Sequence, residues 1–327
     1  MNEGVKKIIT GADNKPVTSI TDFIQRIHDF LLCKSNEGSN TWIMPWFRGE
    51  CITKENIQYY DPLLPKLYRE CEENNARYNE NKLLQHFRMK APVFSSGLVP
   101  ERGETDKWLF LAQHVGLPTR LLDWTESAMV ALYFALKENR AEKRFVWMLD
   151  PISLNRESAA SNTSEFPLTW HDPDQTYDVE FMGEWSYDSQ GAPRFKPDEK
   201  GDVYFYPKLN INIGNINIRG AWEEDGLGTE FPVAILPTNI HPRMSVQRSC
   251  FTIHGKKKES LAELAVKHFP GHLNCYMISS ENEHIKQMCS DLQLLGITHS
   301  ALFPDLDGLA IELQNLDFYK QSTSNDE

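Results

Sequence analysis

Short apolar runs of strand length alternate with helical apolar patterns along most of the 327 residues, so strands and helices have to share one core. TWIMPWFRGE, TRLLDW, FVWML, PVAILP and SCFTIHG read as strands, the first delivering Arg48 near its end, and VYFYPKLNINIGNINI reads as another. Between them, Phe23, Ile24, Ile27, Phe30 and Leu31 line one side of a helix that Ser19 or Thr21 can cap. Helical patterns recur around 63–90, with Leu83, Leu84 and Phe87 on one face, and over 104–115, where Gly116 and Pro118 supply the stop. Thr125 is placed to cap the helix ESAMVALYFALKEN, with Glu126 at the positive end of its dipole, and further helices are expected at 259–268, 281–294 and 304–317. Residues 1–18 read as loose and 1–41 as a helical lead-in. The length allows one large domain or two ordinary ones; 153–200 read as an irregular insertion and 318–327 as a frayed tail.

Composition narrows the function. Lys and Arg total 34 against 46 Asp and Glu, and a net charge of -12 argues against a broad basic surface wrapping duplex nucleic acid. A local strip such as Lys256, Lys257 and Lys258 remains open, either as a solvated turn or against a nucleic-acid backbone. MNEGVKKIIT lacks a signal-peptide core, and no run of about 18 apolar residues is present, so a cytoplasmic protein without a membrane partner is expected. Cys33, Cys51, Cys71, Cys250, Cys275 and Cys289 stand singly with no C-x-x-C pair, which fits reduced thiols better than a zinc site.

Three segments hold more polar groups among apolar neighbours than a plain core needs: WFRGE, QHVGLPTRLLDWT and RMSVQRSCFT. Arg48, next to Gly49, suits either an anion clamp or a structural ion pair, for instance with Asp123. His114 at a helix end suits either a ribose or phosphate oxygen or the terminal carbonyls. Asp123 and Thr125 have an equally plain reading as helix caps, and Glu126 makes that helix start a poor phosphate cradle, so arginines must bind any phosphate. Arg243, Gln247 and Arg248 complete the polar set. Asp305 and Asp307 read as a helix start, with a metal pair as the lesser alternative. No Walker, Rossmann, zincin or nucleophile-elbow motif is present.

At Phe47, Arg48 and Gly49 the sequence resembles the FRG-domain family. The resemblance continues through QHVGLPTRLLDWTESAMVALYFA, PVAILP with R-x-x-x-Q at 243–247, and LGITHSALFPDLDGLA, covering roughly 42–316, which implies one elaborated domain at 42–317; Ser249 departs from a family glycine. The family's layout in turn resembles ADP-ribosyltransferases, which implies an α+β fold with a mixed or antiparallel sheet core and flanking helices. Arg48-Gly49 is similar to their first NAD-binding motif, and LLDWTESAMVALYFA, with Ala131, Tyr133 and Ala135 at A-x-Y-x-A spacing, to their second. The resemblance implies NAD as substrate. Its contacts would come from Phe47, Arg48, Gly49, Thr119, Arg120, Asp123, Trp124, Thr125 and Tyr133, with Arg48 and Arg120 clamping the pyrophosphate. Arg48, His114, Gln247 and Glu50 are the catalytic candidates. Gln247 stands where those enzymes carry a glutamate, leaving Glu50, Glu312 or His114 to substitute. A toxin of a bacterial toxin–antitoxin or phage-defence system is implied, with a macromolecular acceptor, RNA ahead of protein, and an antitoxin partner. The alternatives are a non-catalytic nucleotide- or partner-binding module and a metal-dependent nuclease using Asp123, Asp305 and Asp307 with His114.

Overall fold

Side chains of β1 (Trp46–Ile52) alternate between two hydrophobic clusters, and that alternation sets the layers of the protein. Trp46 and Ile52 join Leu122, Trp124, Phe145 and Trp147 on one face, while Phe47 joins Ala131, Leu132, Val146 and Met148 on the other. The structure is a computed structural model that describes residues 15–36, 44–54, 60–69, 78–94, 99–101, 104–138, 140–160, 183–187, 193–197, 230–237 and 241–315.

Besides β1 the chain forms β2 (Leu121–Thr125), β3 (Lys143–Leu149), β4 (Gly183–Tyr187), β5 (Pro193–Pro197), β6 (Val233–Ile235), β7 (Ser249–Ile253) and β8 (Leu273–Ile278). Six of these make one sheet in the order β6-β7-β2-β1-β3-β8, antiparallel throughout, and β4 pairs with β5 in a separate hairpin. The helices are α1 (Ile20–Asn36), α2 (Glu80–Phe94), α3 (Thr105–His114), α4 (Ala128–Leu136), α5 (Pro151–Ala160), α6 (Pro242–Val246), α7 (Leu261–His268), α8 (Asn282–Leu294), α9 (His299–Leu302) and α10 (Leu306–Asn315). The fold is α+β. No helix among the described residues is long and apolar enough to cross a membrane.

One sheet junction is unlike the rest. β1 pairs with β3 along all of Trp46 to Ile52, but with β2 only at Phe47↔Thr125. Beyond that pair the two strands separate, opposite Arg48 and Gly49. α4 covers this place closely: a Cβ at Gly49 would lie 2.0 Å from the Ala131 carbonyl oxygen and 2.6 Å from the Ala135 nitrogen. Glycine at 49 and alanine at 131 and 135 therefore let helix and strand backbones touch.

Several sequence expectations change. Ser127, not Thr125, caps α4, its hydroxyl accepting from the Val130 N–H at 3.4 Å; Thr125 closes β2 instead and accepts from the Ser127 N–H at 3.0 Å. Ser19, rather than Thr21, caps α1 by accepting from the Asp22 N–H at 3.1 Å. The lead-in is anchored: Val17 is fully buried and bridges Ile278 of β8. β8 itself, whose LNCYMI carries Asn274 between apolar neighbours, was not among the expected strands. The 153–200 stretch contains most of α5, held by Asp150, whose carboxylate accepts from the Ile152 and Ser153 N–H groups, as well as the β4–β5 hairpin. The expected VYFYPKLNINIGNINI strand and the 318–327 tail lie outside the described residues.

Gly49→Ala is expected to destabilise the protein by about 3 kcal/mol, because backbone on both sides leaves the methyl nowhere to go. Urea unfolding of the purified variant reads this directly, and a loss within 0.5 kcal/mol of zero, about the scale of a surface change, contradicts the packing account.

Candidate functional site

Where β1 and β2 part, a side chain replaces the missing ladder. Arg48 NH1 donates to the main-chain carbonyl of Asp123 at 2.7 Å and lies 3.6 Å from its Oδ2, while Nε donates to Glu50 Oε1 at 2.9 Å. Arg48 and Glu50, two positions apart on a strand, share one face. Glu50 is buried, and its other oxygen accepts from the Tyr60 hydroxyl at 2.9 Å and the Trp147 indole N–H at 3.2 Å. Burial opposes the charge on Arg48, yet Glu50 and Asp123 outweigh it and the guanidinium pKa is raised. Burial and Glu50 also push the Tyr60 phenol well up, so it stays a donor. The arginine is thus both clamp and ion pair, with Glu50 as first partner.

The arrangement borders a cleft of about 350 Å³. Its floor and walls come from Phe47, Arg48 and Gly49 of β1, Asp123, Trp124 and Thr125 of β2, Ser249 and Phe251 of β7, and Val130, Ala131 and Phe134 of α4. Gln113 and His114 of α3, Arg243 and Met244 of α6, and Gln247 close the rim. A relay fixes Asp123: its Oδ2 accepts from Gln113 Nε2 at 2.8 Å, and Gln113 Oε1 accepts from the Thr119 hydroxyl. Asp123 stays exposed and is the one carboxylate on the cleft wall among the described residues.

The sequence-expected residues divide. Phe47, Arg48, Gly49, His114, Asp123, Trp124, Thr125 and Gln247 converge on the cleft. Glu50 and Thr119 sit behind it and hold Arg48 and Gln113. Tyr133 does not line it; its hydroxyl hydrogen-bonds His299 Nδ1 at 2.6 Å. Glu312 is committed elsewhere, accepting from the Ser300 N–H.

Arg120 corrects the expected two-arginine clamp. It is buried, its Nε and NH2 each 2.7 Å from Glu80 Oε2, and its backbone N–H donates to Glu80 Oε1 at 3.2 Å. Committed to Glu80 in this way, Arg120 is not among the residues that line the cleft, whereas Arg48 is. The second guanidinium of the cleft is Arg243. The sequence marks it as polar without placing it in a site; only tertiary folding brings α6, packed beside β7, to the cleft that β1 also lines. Burial lowers its pKa, with Asp305 and Asp123 acting against that.

Gln247 and His114 are also constrained. The Gln247 side chain donates to the Leu302 carbonyl at 2.9 Å, and its own carbonyl accepts from the Thr125 hydroxyl at 2.8 Å. Arg248 follows with φ 49°, a left-handed conformation that glycine adopts more easily. His114 lies against His241, ring centroids 4.2 Å apart, and His241 Nδ1 accepts from the Arg243 N–H at 3.2 Å. Burial, His241 and Arg243 together lower the His114 pKa to about 4, so the ring is neutral at pH 7. Among the described residues no three His, Cys, Asp or Glu side chains group to hold a metal, and Asp305 is occupied as a helix cap, accepting from the Gly308 N–H at 2.7 Å.

Residues 45–144 match the model of the FRG domain, and the chain carries that domain. The matched span holds Arg48, Gly49, Glu50, His114, Asp123 and α4. No curated protein and no solved structure matches the chain.

The lowered His114 pKa fixes a pH dependence. The unfolded histidine, with the ordinary imidazole pKa of 6.5, binds its proton at higher pH than the folded one, near 4. Stability is therefore level above pH 6.5 on this account and falls as pH drops from 6.5 towards 4. The slope from this ring stays below about 1.4 kcal/mol per pH unit, because the folded and unfolded states differ by at most one proton there. His254, fully buried with its pKa lowered by burial to about 3, adds a slope of the same sign. Urea midpoints from pH 7 to 4 should fall less steeply in His114→Gln than in the parent; identical slopes contradict the assignment.

Proposed function

We propose that this FRG-domain protein is an ADP-ribosyltransferase-like enzyme that takes NAD as substrate in the β1–β2 cleft. The observation that carries the reading is the joint presence, at one broken strand junction, of Arg48, Arg243 and the single exposed carboxylate of Asp123, with Phe134 and Phe251 in the walls. A phosphorylated ribosyl ligand needs cations for phosphate, an acceptor for hydroxyls and apolar surface for a base.

In this reading the bond between ribose C1′ and the nicotinamide nitrogen breaks, and nicotinamide leaves with the bonding electron pair. An acceptor hydroxyl or amine attacks C1′, and its proton passes to Asp123. Positive charge developing on the ribose is stabilised by the fixed Asp123 carboxylate, which Gln113 and Arg48 hold before substrate arrives. Asp123 thereby takes the part expected of a glutamate at position 247, and neutral His114 at the rim is available to hydrogen-bond the substrate. The acceptor is a macromolecule, in the setting of a bacterial toxin or phage-defence protein.

A second reading, a module that binds a nucleotide without turning it over, draws on two features: Gln247 is tied to Leu302, and Arg48 is already paired with Glu50.

Incubating the protein with labelled NAD and cell extract is expected to release nicotinamide and label a macromolecule. Asp123→Asn should slow release by at least about 10²-fold, the scale of a lost acid–base group. Tight binding of intact NAD without release favours the second reading, and an Asp123→Asn variant as fast as the parent rules out the assigned role.

A further inference from the structure

Two cations from different elements meet on one aromatic ring just outside the cleft. Arg243 of α6 places its guanidinium carbon 4.0 Å from the centroid of Phe303, and Lys137, the residue that ends α4, places Nζ at 4.7 Å from the same centroid. Their charges consequently lie within about one Debye length of each other at 0.1 M salt (~10 Å). Among the described residues neither forms an ion pair. In a chain of net charge -12 this is a local concentration of unmatched positive charge.

The ring is fixed rather than floppy. Phe303 is buried, stacks on His299 at 4.5 Å with the planes 16° apart, and meets Phe134 edge-on at 6.1 Å. α10 lies close against the backbone that carries it: a Cβ at Gly308 would fall 2.1 Å from the Phe303 carbonyl oxygen. Phe134 and Arg243 both line the cleft, so the ledge formed by Phe303, Arg243 and Lys137 continues its wall. Burial lowers the pKa of Arg243 and of Lys137, and Arg243 lowers that of Lys137 further; Asp305 and Asp123 oppose this at Arg243, as Glu138 does at Lys137. An anion bound near both would offset the repulsion that Arg243 exerts on Lys137.

Cleft size says which anion. At about 350 Å³ the enclosed space is at the small end of ligand sites (~300–1,000 Å³), enough for one nucleoside, so the rest of a dinucleotide lies over the rim. We propose that Arg243 and Lys137, seated on Phe303, form the subsite for the diphosphate of the ligand whose nucleoside half occupies the cleft. This rests on the nucleotide reading of the cleft. The planar guanidinium suits a forked contact to one phosphate and the lysine, as a compact point charge, suits the other.

The test is calorimetric titration of the full chain with inorganic pyrophosphate, ADP-ribose, adenosine and a single-stranded oligonucleotide, in the parent, Lys137→Gln and Arg243→Gln. Lys137 is exposed at a helix end, so its replacement leaves the fold intact, which a thermal melt checks. Each variant is expected to weaken pyrophosphate and ADP-ribose about tenfold, and Lys137→Gln, which lies outside the cleft lining, to leave adenosine unchanged. Pyrophosphate affinity equal to the parent's in both variants overturns the proposal. So does failure of the parent to bind pyrophosphate, and so does a loss confined to the oligonucleotide, which assigns the ledge to a phosphodiester backbone. Variant-sensitive ADP-ribose binding without nicotinamide release supports the subsite while defeating the transferase reading.

Discussion

The Arg48–Glu50 pair is the interaction on which the rest of the site depends. A carboxylate buried beneath the sheet is costly unless its oxygens are hydrogen-bonded, and here Arg48 donates to one oxygen and Tyr60 and Trp147 to the other. The pair holds a guanidinium beside the main-chain carbonyl of Asp123, where a neighbouring strand would otherwise supply an N–H. β1 and β2 can therefore separate after one residue pair without stranding a backbone acceptor, and the gap they leave is the cleft. Gly49 completes the arrangement from the opposite face. Because it lacks a side chain, α4 descends onto β1 and brings Val130, Ala131 and Phe134 to the cleft wall. An arginine followed by a glycine thus does two jobs on two faces of one strand.

How much of this was legible in the sequence follows from the range of the forces involved. Period-two and helical patterns are local, so β1, β2, β3, β6 and β7 and the long helices could be read from apolar spacing. β8 was missed because Asn274 and the short LNCYMI run, closely preceded by Pro270 and Gly271, give a weak signal that its pairing with β3 makes good. Strand alternation brought Arg48 and Glu50 together in principle, but the contact between Arg48 and Asp123 spans 75 positions and no local rule reports it. Arg120 misled for the same reason. Its partner Glu80 lies 40 residues away, at the start of a helix, and a buried ion pair reads in sequence like an exposed clamp. Arg243 was noticed as polar, yet its place beside Arg48 depends on how α6 sits over the sheet.

Electrostatics distinguishes this region within an acidic protein. His114, Arg243 and Lys137 all have lowered pKa values, with burial as the first cause; Arg243 adds to the lowering at His114 and Lys137, while Asp305 and Asp123 oppose it at Arg243. Asp123 stands among them, held by Gln113 on one side and Arg48 on the other. Fixed opposite charges around an apolar space form an environment suited to a ligand that carries phosphate and develops positive charge on its sugar.

The most direct test is crystallography of the protein with ADP-ribose, which keeps the sugars and diphosphate of NAD without the labile bond. The account predicts one ribose against Asp123 in the β1–β2 gap, with the diphosphate leaving the cleft past Arg243. Ligand density at another surface, such as the apolar groove between α2 and α3, with the β1–β2 gap unaltered, contradicts it.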